Sequence, residues 1–401
     1  MRSQNRKIYC RNLLSSFVIS AALIFSGAGC NGTATVNVNV SSPSGSESSP
    51  GSDSSPGNCP AGGSPMACLS SSGSDGTAAV GSDCTLSFSS AQAAYNAADT
   101  YQKMCDGTVI ISLGVGHFGG INLSQLTTPG DWNPNIRIQG AGDTLSFLGG
   151  INGDAPSDSD SGWSITVYGT DVNLDDISSN GGSVSGRGGS IEIHGPVAGN
   201  ITVNGGDGGG GGVITIGEES TVNGNVTANG GGSGGSIRIG GIVTGNVTAN
   251  GGGSGGGGGE IGISGRVNGD VTANGGTGSD PSGGGGNGGN INIDPSGTVS
   301  GTITANGGAG YDNSSTPDTT ASKGVGGTIT VSGAVGAITA NGGNALGGLS
   351  HPGGAGGIIT INDGATYGAT TVSGGAGAIP GDAGLVITPS APGSDLELPL
   401  M

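Results

Sequence analysis

Asp175-Asp176 and His194-Gly195 are the first residues in this chain whose types and spacing could do chemistry; Asp176 and His194 stand 18 residues apart. Carboxylates and a histidine can share general acid–base work, provided all of them reach one reacting group within a few ångströms. Arg238, in Ile237-Arg238-Ile239, is the other candidate. The middle of an alternating triplet points away from a core, so its guanidinium is displayed. The bland alternative is that all four are solvated polar residues on an outer face. A second set lies in long loops at 275–290, 307–327 and 342–357: Asp280, Tyr311, Asp312, Asp318, Lys323 and His351. Loops on a rigid scaffold are where recognition is commonly placed. The alternative there is spacer expansion without function. Calcium-binding arrays need Gly-Gly-x-Gly-x-Asp in successive turns, and here an Asp rarely follows the glycine runs (Asp207, Asp280). No metal site is expected. Adventitious calcium at surface carboxylates is the one exception the charge allows.

The elements that position these residues must be built from an unusual composition. Of 401 residues, 94 are glycine, 3% are aromatic and 9% are charged. Ten Lys and Arg face 28 Asp and Glu, for a net charge of −18. Four of the basic residues (Arg2, Arg6, Lys7, Arg11) fall in the first eleven positions. Nothing in the remainder could neutralise nucleic-acid phosphates. Glycine does not recur every third residue, which excludes collagen. With 32% apolar residues and dispersed acids, full disorder is a poor fit. So few aromatics cannot fill a spherical core.

Residues 1–29 read as an export signal: a basic start, an apolar stretch from Leu13 to Phe25, then Ser26-Gly27-Ala28-Gly29 before Cys30. Small residues followed by a cysteine resemble the lipobox of bacterial lipoproteins, with Gly27 standing where a Leu is usual. The resemblance implies that Cys30 is lipidated and anchors the chain. Asn31 would favour the outer membrane. One acylated terminus makes a protein anchored rather than spanning. Residues 30–82, rich in Ser, Gly and Pro, read as a tether. Cys59, Cys68, Cys84 and Cys105 suggest two disulfides in an exported chain. Three pairings exist, with local pairs (Cys59–Cys68, Cys84–Cys105) favoured. Within 83–106, Phe88, Ala91, Ala94, Tyr95, Ala98 and Tyr101 recur at helical spacing, with a capping box at Ser89 and Gln92.

From residue 170 the chain repeats itself. One half-repeat runs Ile/Val-Thr-Ala-Asn-Gly-Gly, its Asn at 180, 204, 229, 250, 274, 306 and 341. The other is Gly-x-Ile-x-Ile, as at Ile191/Ile193, Ile237/Ile239 and Ile291/Ile293. The period is 21–25 residues in early copies and 32–35 in later ones. From the second Ile to the next Ile/Val-Thr is always 7–10 residues, whereas from the Asn to the next Ile-x-Ile is 8 to 23. One corner of each coil is constant and the other absorbs length. Such a repeat cannot bury its apolar side alone, so copies must stack about 4.8 Å apart with Ile and Val inside. Glycine is expected at tight corners and positive φ. The recurrent Asn is expected to form a hydrogen-bonded ladder. A Thr column (Thr202, Thr227, Thr248, Thr272, Thr304, Thr339, Thr371) faces outward. Such a column can bind ice, but a single one reads more simply as β propensity.

The short helix near 90–98, the phrases Gly107-Thr108-Val109-Ile110-Ile111 and Ile136-Arg137-Ile138-Gln139-Gly140, and the Asn ladder together resemble the pectate-lyase-like right-handed parallel β-helix superfamily. The expected fold is therefore all-β: a right-handed parallel β-helix over 107–390 behind a short capping helix, with a tail at 391–401. The resemblance implies polysaccharide chemistry as the enzyme reading, with Asp175, Asp176, His194 and Arg238 as its weak candidates. The superfamily's other catalytic elements (Asn-Thr-Asp, Arg-Ile-Lys) are absent. A non-catalytic structural, adhesive or polysaccharide-binding protein of the cell surface is the expected class, with a polysaccharide lyase or hydrolase as the alternative. Its partners are then the membrane, through the lipid, and an extracellular polysaccharide or surface protein.

Overall fold

A computed structural model describes residues 146–168, 172–278, 283–312, 323–347 and 352–389, with the isolated segments 34–35, 65–69, 109–113, 117–118, 120–123 and 136–140. The chain is a right-handed parallel β-solenoid, with no helix among the described residues. The capping helix expected in 83–106, the lipid site Cys30, and Cys59, Cys84 and Cys105 lie outside the described residues. Only the backbone of Cys68 is described, in the strand Pro65–Leu69. That strand and Ala34–Thr35 fall inside the stretch expected to be a tether. They form a four-stranded parallel sheet with Val109–Leu113 and Ile136–Gly140.

Each coil contributes three short strands, one to each of three faces. Face A has nine strands, from Ser164–Tyr168 to Leu385–Ile387; face B has nine, from His117–Phe118 to Ala334–Val335; face C has ten, from Ile121–Asn122 to Thr370–Thr371. Within the three faces all pairing between coils is parallel and in register, as in Ile191↔Ile214, Ile214↔Ile237 and Ile237↔Ile261 on face A. At roughly 4.8 Å per coil the stack is about 45 Å long.

Period-2 alternation sends one side chain inward at a time, and identical side chains then stack. Face A buries two columns, among them Ile165, Ile191, Ile214 and Ile237, and Ile193, Ile216, Ile239 and Ile263, all at 0–1% exposure. Face B buries Leu174, Val197, Val222, Val243 and Val267, and face C buries Ile177, Ile201, Val226, Val247 and Val271. Each buried Ile or Val contributes about 1.5–3 kcal/mol. The core narrows where face C ends. There Ala228, Ala249, Ala273, Ala305 and Ala340 are fully buried. Opposite them the returning chain is glycine. A Cβ on Gly235, Gly259 or Gly289 would lie 2.9 Å from the Ala methyl. The same glycines close each coil: Gly235 N–H donates to the Ala228 carbonyl at 2.7 Å, and Gly259 N–H to that of Ala249 at 2.6 Å.

The insertions all leave at this corner, between face C and the next face A. They form arms in which outgoing and returning segments touch backbone to backbone. A Cβ on Gly251 would meet the Gly256 carbonyl oxygen at 1.9 Å, and one on Gly275 that of Gly286 at 2.0 Å. Between coils the approach is equally tight, with a Cβ on Gly276 only 1.6 Å from the Gly252 oxygen. The role expected for glycine is corrected here. Among the described glycines only Gly255 and Gly364 have positive φ. Most of the rest are needed because no side chain fits between the stacked backbones, with Gly253 and Gly262 open exceptions.

Candidate functional site

The ladder residues come from the end of face C. Asn180 Oδ1 accepts the N–H of Asn204 at 2.8 Å, Asn204 that of Asn229 at 2.9 Å, and so on to Asn341, which accepts Ser373 N–H at 2.8 Å. The glycine after each Asn completes a clamp. Gly205 N–H donates to the Asn229 carbonyl and Gly251 N–H to that of Asn274. Each Asn-Gly pair thus grips both backbone groups of the next Asn. A second ladder runs two residues before the face C Thr column. Asp176 Oδ1 accepts from Asn200 N–H, Asn200 from Asn225, Asn225 from Asn246, Asn246 from Asp270, and Asp270 from Thr302. This ladder was visible in the sequence as the recurrent Asn or Asp ahead of Ile/Val-Thr, and it was missed. It also explains the Asn-x-Thr pattern at Asn200, Asn225 and Asn246.

Asp176 is thereby the first rung of a structural column at the start of face C. Asp175 sits beside it and is exposed. His194 ends a strand of face A. The structure places the acids and the histidine on different faces, so they do not share a sugar. His194 pairs instead with Glu192, Nε2 to Oε1 at 2.8 Å, and stacks on Tyr168 with ring centroids 4.6 Å apart and planes 6° apart. A Cβ on Gly217 in the next coil would fall 2.8 Å from His194 Nδ1, so glycine there leaves room for the ring. Glu192 was legible as a face-mate, because Ser-Ile-Glu-Ile-His alternates.

Arg238 is also on face A, paired in register with Thr215 and Gly262. It borders a shallow groove of about 550 Å³ lined by Thr215, Glu218, Arg238, Glu260, Ser264, Asn290, Asn292, Asp294 and Thr330. Gly262 forms the floor, and a Cβ there would meet nothing within 4 Å. Arg238 is exposed and makes no ion pair among the described residues. It is the only Arg or Lys in the nine face A strands. The groove therefore offers one cation with several carboxylates, amides and hydroxyls on neighbouring coils.

The loop-edge set is described only in part. Asp280, Asp318 and His351 lie outside the described residues. Tyr311 and Asp312 belong to the strand Gly310–Asp312, which pairs in parallel with Ala345–Gly347 of the next arm. Lys323 is buried at 8% exposure, which corrects its reading as a displayed recognition residue. Of the early aromatics, Trp163 is buried at 3% in the core and Tyr168 is 38% exposed. No group of three His, Cys, Asp or Glu suited to a metal occurs among the described residues. No family model, curated protein or solved structure matches this chain.

Proposed function

We propose that this chain is a lipid-anchored, non-catalytic rod of the cell surface that holds an extended polar polymer, a polysaccharide, along face A. The observation that carries this reading is the groove over Gly262. Arg238 stands without an ion pair in the coil on one side, Asn290, Asn292 and Asp294 stand in the coil on the other, and Glu260 lies in the strand of Gly262 itself. Hydroxyl-rich chains are held by amides and carboxylates accepting and donating along their length, and a guanidinium suits a carboxylate on such a chain. A rigid stack presents those groups at a fixed repeat, which lowers the ordering cost of binding. The lipobox-like Cys30 and the Ser/Pro-rich stretch after it support the anchored location.

The second reading is a polysaccharide-cleaving enzyme. It is favoured by one feature: the Glu192–His194 pair and Arg238 share face A, two coils apart, or roughly 10 Å. The test incubates the protein with acidic and neutral polysaccharides, with and without calcium, and follows both retention and new reducing or unsaturated ends. Retention without cleavage, abolished by Gly262→Val, supports the binding rod. The space at Gly262 is open, so that substitution fills the groove without disturbing the coil. Cleavage lost in His194→Ala or Arg238→Ala would establish the enzyme instead. Retention undiminished by Gly262→Val would move the binding surface elsewhere.

A further inference from the structure

Eleven Asn-Gly sequences lie among the described residues, and the fold treats two of them differently from the rest. In an Asn-Gly pair the glycine amide nitrogen can attack the preceding side-chain carbonyl carbon. A C–N bond forms, the nitrogen's proton is lost, and ammonia leaves, giving a cyclic succinimide. Water then opens the ring at either carbonyl to give aspartate or isoaspartate. The only co-reactant is water. The attack requires a free glycine N–H and a side chain able to swing back over its own backbone.

Seven of the pairs are the ladder rungs at Asn180, Asn204, Asn229, Asn250, Asn274, Asn306 and Asn341. In each, the Asn Oδ1 is held by an N–H of the next coil, which points the side chain along the axis and away from its own glycine. The glycine N–H is meanwhile committed to a carbonyl of that same coil, at 2.8–3.0 Å. Asn152-Gly153 and Asn287-Gly288 are tied in a similar way. Their Oδ1 atoms accept from Asp154 and Val325, and the glycine N–H groups donate to the Ser178 and Val325 carbonyls.

Asn223-Gly224 and Asn268-Gly269 sit at the corner between faces B and C. Both asparagines are exposed. Neither Gly224 N–H nor Gly269 N–H makes a hydrogen bond among the described residues. No neighbouring coil holds either side chain. Asn268 Oδ1 accepts from Arg266 Nε at 2.8 Å, which polarises the amide but leaves Gly269 unrestrained. Glycine is fixed at both places by close stacking, since a Cβ on Gly224 would lie 2.3 Å from the Gly199 oxygen and one on Gly269 2.4 Å from that of Gly245. The reactive pair therefore persists at these corners for a packing reason.

We propose that Asn223 and Asn268 are the sites at which the folded solenoid converts asparagine to aspartate and isoaspartate, while hydrogen bonds to the backbone, in the ladder and outside it, protect the other nine. Each event adds a negative charge to the B–C corner, and isoaspartate also lengthens the backbone there. The experiment incubates the folded protein in mildly alkaline ¹⁸O-water and digests it with pepsin, because the few Lys and Arg leave tryptic fragments too long. Label at each site is read by mass spectrometry. Asn223 and Asn268 should carry at least about tenfold more label than any ladder site, which reacts only through local opening. In urea, all eleven sites should label comparably. Ladder sites labelling as fast as the corners in folded protein would overturn the proposal, as would corners as slow as the ladder. Asn223→Thr, copying Thr244 of the adjoining coil, should remove label at that site alone and leave the melting temperature unchanged.

Discussion

The three-faced core and the glycine arms belong to the same coils and hold together by opposite means. In the core, side chains stack on their own kind: Ile on Ile, Val on Val, with the strands' backbone hydrogen bonds running between coils. In the arms glycine predominates among the described residues, and carbonyls of one segment lie where the Cβ of another would be. The core stabilises by burying apolar area. The arms stabilise by backbone hydrogen bonding and dispersion between closely approaching peptides. The difference explains the spacing. A core strand cannot gain a residue without sending the next side chain to the wrong face. An arm has no faces to confuse, so the coil period can grow from 21 to 35 residues.

That contrast can be broken by substitution, and the largest effect belongs to the core. Ile261→Ala leaves a hole in a column with Ile above and below, and should lower unfolding stability by about 4 kcal/mol in denaturant titration. In the arms the damaging change runs the other way. Gly276→Ala adds a methyl 1.6 Å from the Gly252 oxygen, which is backbone and cannot rotate aside. A loss of about 3 kcal/mol is expected. If Gly276→Ala were neutral, the arms would be loosely packed and the contrast with the core would fail.

Much of the core was legible in the sequence because Ile-x-Ile and Ile-Thr-Ala-Asn carry their own period. The Asn ladder was legible for the same reason: one polar residue at one place in every copy. The arms were legible only in their position. Glycine suggested special dihedrals, yet among the described residues Gly255 and Gly364 alone adopt them. Close approach depends on what the neighbouring coil does, and no local pattern states it. Asp176 misled for a related reason. Its spacing from His194 suggested a shared coil edge, whereas three strands per coil put the two on different faces. Lys323 looked like an exposed loop residue by its polar surroundings, yet it is buried at 8% exposure.

The ladder lies at the junction of the two regions and should give an intermediate effect. Asn250→Ala removes the acceptor for Asn274 N–H, a part-buried donor, and should cost about 1.5 kcal/mol. Asn250→Asp keeps an oxygen acceptor at that point and should recover most of the loss near neutral pH, as Asp270 does in the neighbouring ladder. Equal damage from both substitutions would mean that the amide nitrogen, not Oδ1, holds the rung.

The smallest effect is the most discriminating. Gly253 lies in the arm between Gly251 and Gly255, yet a Cβ there would meet nothing within 4 Å. Its φ lies outside the left-handed region that favours glycine. If glycine is present in the arms because backbones stack, Gly253 is a bystander. Gly253→Ala should then change stability by no more than about 0.5 kcal/mol, and in the stabilising direction, because alanine narrows the unfolded ensemble. Two residues on, Gly255 has φ 80 and a Cβ there would fall 2.1 Å from the Gly284 oxygen. Gly255→Ala should destabilise by about 2 kcal/mol through strain and contact together. Thermal unfolding of the two variants side by side separates the two uses of glycine in one loop. A matching loss in both would mean that the arm needs glycine for its flexibility along the whole length, not for the space between stacked peptides.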